Sequence, residues 1–353
     1  MKPSLTKPPK LQEGDKVATV SLSWGGPGLI PHRYEAGKKQ LEEAFGLVVI
    51  EMPHTLREPK WLSENPKARA DDLMEAFSNS EIKGIISTIG GDDSIRILRH
   101  LDLDLIRKNP KPFVGYSDTT VSHFACLKAG IVSFYGPAIM AGFAENGGLF
   151  PYMVNSVRRT LFDSGNIGEI PENRDGWTVE RLDWANPANQ KRKRILQGSA
   201  GWQYLQGEGQ TEGHLIGGCL EVLDWIRSTD VWPDKEVWKG AILFIETSEE
   251  TPPPSTVTRF FRSLAAMDIL PSLSGILFGR PGGHELSPDS FHAYDDAILQ
   301  IVADEEGLTS LPIITQMDFG HTDPMFVLPY GIQAEIDSDR RKFTILENAV
   351  EPD

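Results

Sequence analysis

Three polar residues, Ser117, Glu246 and His321, each come at or shortly after an apolar segment of the chain. Acyl transfer by serine needs a hydroxyl nucleophile, a neutral imidazole that accepts its proton, and a carboxylate that orients the imidazole. The order Ser, Glu, His along the chain is one that such triads use on α/β folds. These residue types therefore predict attack on a carbonyl carbon, with Ser117 as the nucleophile.

A serine that attacks a carbonyl also needs two backbone N–H groups to stabilise the oxyanion that develops. Gly91 follows a predicted strand in the sequence STIGGDDS, and Asp118 comes directly after Ser117. The amides of Gly91 and Asp118 are therefore the predicted oxyanion hole.

Each of these residues also has a structural interpretation. A serine or aspartate at the start of a helix often caps it, as Ser117 or Asp118 would here. His321 is one of eight histidines, and Glu246 could bond a nearby backbone group. The hydrolase elbow G-x-S-x-G is not matched, because Asp118 and Thr119 follow the serine. From the residues alone, both interpretations stay open.

The first half of the chain alternates strand-like apolar segments with helix-like amphipathic ones. We predict strands at 17–23, 47–50, 82–89, 112–116 and 131–134, and helices at 34–45, 65–77, 95–101, 119–129 and 151–161. Such alternation indicates a parallel sheet with helices on both faces, which binds ligands beyond the carboxyl ends of its strands. The glycine-rich turn at 24–28 lacks the G-x-G-x-x-G spacing, so a dinucleotide cofactor is disfavoured.

A polar, irregular segment at 166–211 separates a predicted nucleophile domain at 1–165 from a C-terminal domain at 212–353. The segment contains several tryptophans and the basic cluster Lys191–Arg194. Long aromatic loops often bind ligands or close over them, although the tryptophans could equally pin the segment to the two domains. In the C-terminal domain we predict strands at 240–245, 273–278, 312–317, 325–336 and 342–346, and helices at 255–265 and 290–303.

Composition limits the kinds of binding partner and the cellular location that we expect. The 353 residues carry a net charge of −15, which disfavours nucleic acid, because binding phosphates needs a basic surface. Only two cysteines, Cys126 and Cys219, exclude a disulfide scaffold and a cysteine-rich zinc site. No apolar run is long enough to span a bilayer, and the N-terminus has no signal-peptide pattern. We expect a cytoplasmic protein with a small-molecule substrate, no membrane partner, and no metal or cofactor.

Five segments are distinctive in content and order: STIGGDDS (87–94), VGYSDTT (114–120), GHLIGGCLEVL (213–223), LFIETSEE (243–250) and DFGHTDP (318–324). Together they resemble the LD-carboxypeptidase and microcin C-immunity family of serine peptidases. The resemblance implies a flavodoxin-like N-terminal domain, a smaller β-rich α/β C-terminal domain, an active site at their interface, and a homodimer. It implies Ser117 as nucleophile, Glu246 as orienting acid, and His321 as general base and then acid, with the Gly91 and Asp118 amides as the oxyanion hole.

Two of these segments favour the microcin-immunity branch, which cleaves the amide between an aminoacyl group and a modified nucleotide. The chain has TIGGDD at 88–93 where the carboxypeptidases have RGGYG, and ETS at 246–248 where they have EDVG. Trp177 and Trp184 resemble the branch's loop tryptophans that flank the nucleobase, and such stacking is worth about 1–3 kcal/mol. The rival is an LD-carboxypeptidase that trims muropeptide tetrapeptides. The alternative from another class is a non-catalytic nucleotide- or peptide-binding protein.

Two departures from the family pattern bear on the substrate. The triplet GGC, which ends in Cys219, replaces the usual Gly-Gly-Asn, so a side-chain amide that could bind substrate is lost. Glu249 and Glu250 stand where a basic residue is expected. Two acids disfavour a phosphate-bearing substrate unless Arg280 or the Lys191–Arg194 cluster compensates. Cys219 and Glu249 are thus predicted to line the substrate site, and a less charged aminoacyl-nucleoside analogue, or a peptide, becomes more plausible.

Overall fold

The computed structural model of the chain describes residues 4–283 and 286–351, which form two β-sheets with flanking helices. The strands are β1 (Lys16–Val20), β2 (Val48–Glu51), β3 (Ile82–Ser87), β4 (Phe113–Gly115), β5 (Phe134–Tyr135), β6 (Gly168–Glu169), β7 (Gln203–Gln206), β8 (Gln210–Cys219), β9 (Ala241–Glu246), β10 (Gly275–Gly279), β11 (Ile313–Met317), β12 (Leu328–Pro329), β13 (Gln333–Asp337) and β14 (Lys342–Ile345). The α-helices are α1 (Gly26–Leu29), α2 (Pro31–Phe45), α3 (Pro59–Glu64), α4 (Pro66–Ser78), α5 (Leu103–Lys108), α6 (Thr120–Ala129), α7 (Pro151–Val157), α8 (Leu220–Ile226), α9 (Lys235–Trp238), α10 (Pro254–Ala266) and α11 (Pro288–Leu299). Within the described ranges, no helix combines the length and apolarity that a bilayer crossing requires.

The first sheet has the strand order β12-β5-β4-β3-β1-β2. Strands β1 to β5 are parallel, and β12 pairs antiparallel with β5 at the edge. Adjacent residues Ile85 and Ile86 point into two different hydrophobic cores, because helices cover both faces of a parallel sheet. The parallel order 2-1-3-4-5 is flavodoxin-like, so the predicted α/β fold of the N-terminal domain is confirmed.

The second sheet has the order β6-β14-β13-β8-β9-β10-β11-β7. Its centre, β8 to β11, is parallel, and the strands outside this centre pair antiparallel. The segment predicted to connect the domains, 166–211, contributes both edge strands, β6 and β7. This sheet is the predicted β-rich α/β part of the fold, while the predicted domain boundaries remain predictions.

The chain crosses from one sheet to the other at Tyr330 and Gly331. The apolar run 325–336 predicts one strand, but it forms β12 in the first sheet and β13 in the second. The Tyr330 N–H donates to the Ser133 carbonyl at 2.9 Å, and the Gly331 N–H donates to the Leu215 carbonyl at 2.7 Å. The strand breaks here because Gly331, at φ +73°, adopts the left-handed conformation that glycine tolerates without steric cost.

A buried ion pair between Arg280 and Asp318 joins the loops that follow β10 and β11. The guanidinium lies 2.9 Å from Asp318 Oδ1, and both side chains are almost fully buried. Asp318 Oδ2 accepts hydrogen bonds from Trp202 Nε1 at 2.7 Å and from the Asn173 N–H at 3.1 Å. Arg280 also lies 4.9 Å from the ring centre of Trp177. The pair therefore ties the connecting segment to the loop that leads into His321.

We expect Asp318→Asn to lower the free energy of unfolding by about 3–5 kcal/mol, because it leaves the buried Arg280 guanidinium without a counter-charge. Glu305→Gln breaks an exposed pair with Arg262 and is the matched control. Its effect should be much smaller, since water and salt screen exposed pairs. Urea denaturation measures both variants, and equal losses would contradict this account of Asp318.

Candidate active site

The candidate site lies where the carboxyl ends of the two sheets meet. Ser117 follows β4 of the first sheet, whereas Glu246 ends β9 and His321 follows β11 of the second. The Cys219 N–H, at the end of β8, donates to Thr120 Oγ1 across this junction at 3.2 Å. Because parallel sheets bind ligands at this edge, the three predicted residues share a position suited to chemistry.

Ser117 has an unusual backbone conformation. Its φ of +62° is uncommon for a residue other than glycine. Its N–H donates to the Tyr135 hydroxyl at 3.1 Å, and its carbonyl accepts from Thr120 Oγ1 at 2.7 Å. Such strain persists only where surrounding contacts enforce it, and it concentrates at functional positions. The conformation fixes the direction of the Ser117 side chain.

A chain of hydrogen bonds joins Ser117, His321 and Glu246. Ser117 Oγ lies 3.0 Å from His321 Nε2, and His321 Nδ1 lies 2.7 Å from Glu246 Oε2. Glu246 is fully buried, and the His321 side chain is only 6% exposed. A proton on Nδ1 is held by the carboxylate, which leaves the Nε2 lone pair of a neutral imidazole facing the hydroxyl. The arrangement can therefore activate a serine for nucleophilic attack.

The capping interpretation does not fit these contacts. Helix α6 has no side-chain cap at its N-terminus, and Ser117 Oγ bonds to His321 instead. Asp118 Oδ2 accepts the Ser94 N–H at 2.8 Å, which holds the residue after the serine in place.

Glu249 also contacts His321, at the nitrogen that faces the serine. Its Oε2 lies 3.1 Å from Nε2, although its side chain is 69% exposed. The charge and hydrogen bond of His321 lower the pKa of Glu249 to about 2. Burial alone would lower the pKa of His321, but the carboxylates of Glu246 and Glu249 outweigh it and hold that pKa well above its usual value. The two carboxylates therefore favour the protonated form of the imidazole.

Tyr135 belongs to the site, although neither its residue type nor its spacing singles it out in the sequence. Its buried hydroxyl donates to Glu246 Oε1 and accepts the Ser117 N–H. Burial and the charge of Glu246 raise its pKa well above the usual value, so the hydroxyl stays protonated and remains a donor. Tyr135 pairs with Gly115 on the neighbouring strand. Its place at the carboxyl end of β5 is the one signal that could have identified it.

The loop after β3 passes directly beside the serine. A Cβ atom added to Gly90 would lie 2.7 Å from Ser117 Oγ, so only glycine allows this approach. Gly91 has a φ of +145°, and a Cβ there would lie 2.3 Å from Ser23 Oγ. A Cβ at Gly90 would also lie 3.4 Å from the Asp118 nitrogen, so the loop passes beside both residues. The oxyanion hole formed by the Gly91 and Asp118 amides stays a prediction.

Cys219 lies beside Glu246 and His321. Its thiol, the Glu246 carboxylate and a His321 ring nitrogen lie within 4.8 Å of one another. Burial and the nearby acids raise the pKa of the thiol well above its usual value, so it stays neutral. Thiol, imidazole and carboxylate are also metal-ligand types, but here the imidazole and carboxylate already bond each other. Cys219 forms part of the wall of the site.

The two predicted base-stacking tryptophans lie in different environments. Trp177 is 2% exposed, with its ring 5.4 Å from Phe291 and 4.9 Å from the Arg280 guanidinium. In this arrangement it packs the loop and leaves no face open to a nucleobase. Trp184 is half-buried, with the Arg33 guanidinium 4.1 Å from its ring centre. Base stacking therefore remains a prediction for Trp184 only.

Three arginines that could balance Glu249 and Glu250 each pair with another acid. Arg280 forms the buried pair described above. Arg194 is half-buried and pairs with Asp323 at 2.7 Å as well as with Glu145, and Arg192 pairs with Glu180 at 2.6 Å. These arginines therefore do not offset the acids beside His321.

Comparisons with known proteins cover nearly the whole chain. The Escherichia coli protein named Microcin C7 self-immunity protein MccF is 30% identical over 96% of this chain and 94% of its own length. The crystal structure of an MccF-like protein from Streptococcus pneumoniae in complex with AMP has a TM-score of 0.84 and 31% identity, covering 94% of this chain and 98% of that one. MccF in complex with glutamyl sulfamoyl guanosine has a TM-score of 0.82 and 27% identity, covering 99% and 100%.

Two family domains also match. Residues 17–136 match the LD-carboxypeptidase N-terminal domain of the S66 peptidases, and residues 212–336 match the LD-carboxypeptidase C-terminal domain. The chain therefore belongs to the LD-carboxypeptidase family of peptidases, as its motifs predict.

Proposed function

We propose that the chain is a serine amidase of the microcin-immunity type, which hydrolyses the amide bond of aminoacyl- or peptidyl-nucleotides through an acyl-enzyme. One observation carries the proposal: hydrogen bonds of 3.0 and 2.7 Å run from Ser117 Oγ through both nitrogens of His321 to Glu246. They join the carboxyl ends of two sheets and begin at a serine held in a strained conformation, which is the arrangement that acyl transfer needs.

In the proposed reaction, His321 Nε2 takes the hydroxyl proton of Ser117 as Oγ bonds to the carbonyl carbon. Glu246 holds the Nδ1 proton and stabilises the imidazolium. The amides of Gly91 and Asp118 bind the oxyanion of the tetrahedral intermediate. The C–N bond then breaks, and the leaving nitrogen takes the proton from Nε2. Water attacks the acyl-serine ester in the same way, releases the acyl group as a carboxylate and regenerates the hydroxyl.

Two features support a nucleotide-bearing substrate. The structural neighbours include an MccF-like protein with AMP and MccF with glutamyl sulfamoyl guanosine. In this chain, Trp184 is a half-buried aromatic residue in the connecting segment, of the kind on which bases stack. The physiological role would be detoxification of antibiotics of the microcin C type. The cytoplasmic location and the homodimer remain predictions.

The LD-carboxypeptidase reaction is the second candidate, because both matched domains carry that name. Its substrate is a muropeptide tetrapeptide that loses a D-amino acid. Mass spectrometry of products from such a tetrapeptide and from an aminoacyl sulfamoyl-adenosine, assayed side by side, separates the two reactions. A non-catalytic binding protein would release product from neither.

We expect Ser117→Ala to lower kcat by at least about four orders of magnitude, because without the nucleophile no acyl-enzyme forms. The fold should be unchanged by circular dichroism. A fluorophosphonate probe should label the wild type and the exposed-site control Ser78→Ala, but not Ser117→Ala. Retention of most activity in Ser117→Ala would contradict the proposed role of Ser117 as the nucleophile.

Tyr135→Phe tests whether the buried hydroxyl is coupled to the base. Loss of its hydrogen bond leaves the negative charge of Glu246 less stabilised by Tyr135, so the attraction of that charge for the imidazolium should raise the pKa of His321 further. Because the base must be neutral to act, the rising limb of kcat/KM against pH should move to higher pH, with activity at pH 7 lowered by about tenfold. Tyr152→Phe, which removes a hydroxyl bonded to a backbone carbonyl at 2.8 Å, is the control. An unshifted profile in Tyr135→Phe would refute the coupling.

A further inference from the structure

The side chain of Glu249 occupies a position that the proposed mechanism does not use. Its Oε2 lies 3.1 Å from His321 Nε2, and Ser117 Oγ lies 3.0 Å from the same nitrogen. Nε2 carries either one proton or one lone pair, so it cannot bond fully to both partners at once. The carboxylate therefore competes with the nucleophile in the enzyme without substrate.

The backbone at Glu249 is anchored, while its side chain is largely exposed. The N–H and hydroxyl of Ser248 both donate to Glu221 Oε1, the N–H at 3.1 Å. The Glu250 N–H donates to Ser248 Oγ at 3.3 Å. In contrast, the Glu249 side chain is 69% exposed. Its carboxylate can thus exchange His321 for another cation without movement of the loop.

The described side chains around His321 offer Glu249 no second close cation. Besides Glu249, the imidazole faces Glu246, the Tyr116 ring at 4.9 Å between centres, and the Cys219 thiol. Burial raises the pKa of both Tyr116 and Cys219 well above their usual values, so both are neutral. The exposed Arg181 adds only a weaker positive field at Glu249. A cationic group on the substrate would therefore meet an ionised carboxylate whose one close partner among the described side chains is His321.

The chemistry of an aminoacyl amide places such a cation nearby. Its α-nitrogen is separated from the attacked carbonyl carbon by Cα alone, a distance of about 2.5 Å. A carbonyl carbon poised for attack lies about 3–3.5 Å from the serine oxygen. A free α-ammonium thus falls close to the nitrogen that Glu249 contacts, whereas an N-acylated residue presents an uncharged amide there.

We propose that Glu249 selects substrates whose acyl residue carries a free α-ammonium group, which draws the carboxylate away from His321 Nε2. With one of two carboxylates withdrawn, the imidazole gives up its Nε2 proton to water more readily, and its lone pair faces Ser117. The inference rests on the proposed amidase function and narrows it to aminoacyl rather than peptidyl substrates. A muropeptide tetrapeptide, whose acyl residue is N-acylated, is then a poor substrate.

The test compares two substrates that differ at one group, alanyl sulfamoyl-adenosine and its N-acetyl derivative. The wild type should cleave the free amine at least about tenfold faster in kcat/KM, and Glu249→Gln should reduce that ratio to about two or less, because a charge-assisted hydrogen bond is lost. Glu250→Gln removes the same charge from the adjacent exposed residue. It should change the ratio by less than about twofold, since solvent screens a charge without a direct contact.

The pH profile measured with the N-acetyl substrate distinguishes a role of Glu249 in substrate selection from a merely structural effect of its substitution. Glu246 and Glu249 both raise the pKa of His321 against the effect of burial. Removal of one carboxylate lowers that pKa, so the rising limb of kcat/KM in Glu249→Gln should move to lower pH. Glu249→Asp, which keeps the charge, should restore part of the preference for the free amine.

The outcomes distinguish this inference from the proposed function. A wild-type ratio near one, or an unchanged ratio in Glu249→Gln, would overturn the role of Glu249 and leave the amidase function intact. Absence of cleavage of both compounds by the wild type would overturn both. A rising limb that does not shift in Glu249→Gln would also overturn the role of Glu249.

Discussion

The site depends on one contact between two parts of the protein, the 3.0 Å from Ser117 Oγ to His321 Nε2. The two residues follow the carboxyl ends of strands in different sheets, so the two sheets must be packed together to bring them into contact. Hydrogen bonds weaken steeply with distance and angle, so the two sheets must be placed to within a fraction of an ångström. Every contact that fixes the sheets relative to each other therefore helps to hold Ser117 against His321.

The connecting segment supplies several of these contacts. It contributes the edge strands β6 and β7 to the second sheet, and through Trp184 it stacks on Arg33 of the first half. Arg194 pairs with Glu145 on one side and with Asp323, two residues beyond His321, on the other. A segment with the composition of a linker thus holds the two halves together through largely buried ion pairs, and breaking such pairs is costly in free energy.

Much of the fold and the central residues could be predicted because their signals are local. An apolar run that ends in Ser117, Glu246 or the loop of His321 is visible in the sequence, and alternation of strands and helices indicates a parallel sheet. The crossing at Gly331 could not be predicted, because the run 325–336 is apolar throughout, and its choice of sheet depends on distant partners. Tyr135 was missed for a similar reason, since only its register with Gly115 brings its hydroxyl to the site.

Trp177 shows that amino-acid composition cannot predict whether an aromatic ring is open to a ligand. A tryptophan in a polar loop has the same sequence signature whether its ring is open to a ligand or covered. Only the positions of Arg280 and Phe291, which lie far along the chain, make it a buried ring. Side chains that bind substrate are therefore harder to identify from one sequence than residues that end strands.

The crossing at Tyr330 and Gly331, which lies late in the chain, also bears on when the proposed site can form during synthesis. Ser117 and the parallel strands around it leave the ribosome 204 residues before His321. At about 5–20 residues per second, this separation amounts to roughly 10–40 s of translation. During that interval the nascent chain has the proposed nucleophile but not the proposed base, and the strands that cross between the sheets come later still. If the proposed function holds, hydrolysis can begin only once nearly the whole chain has been made.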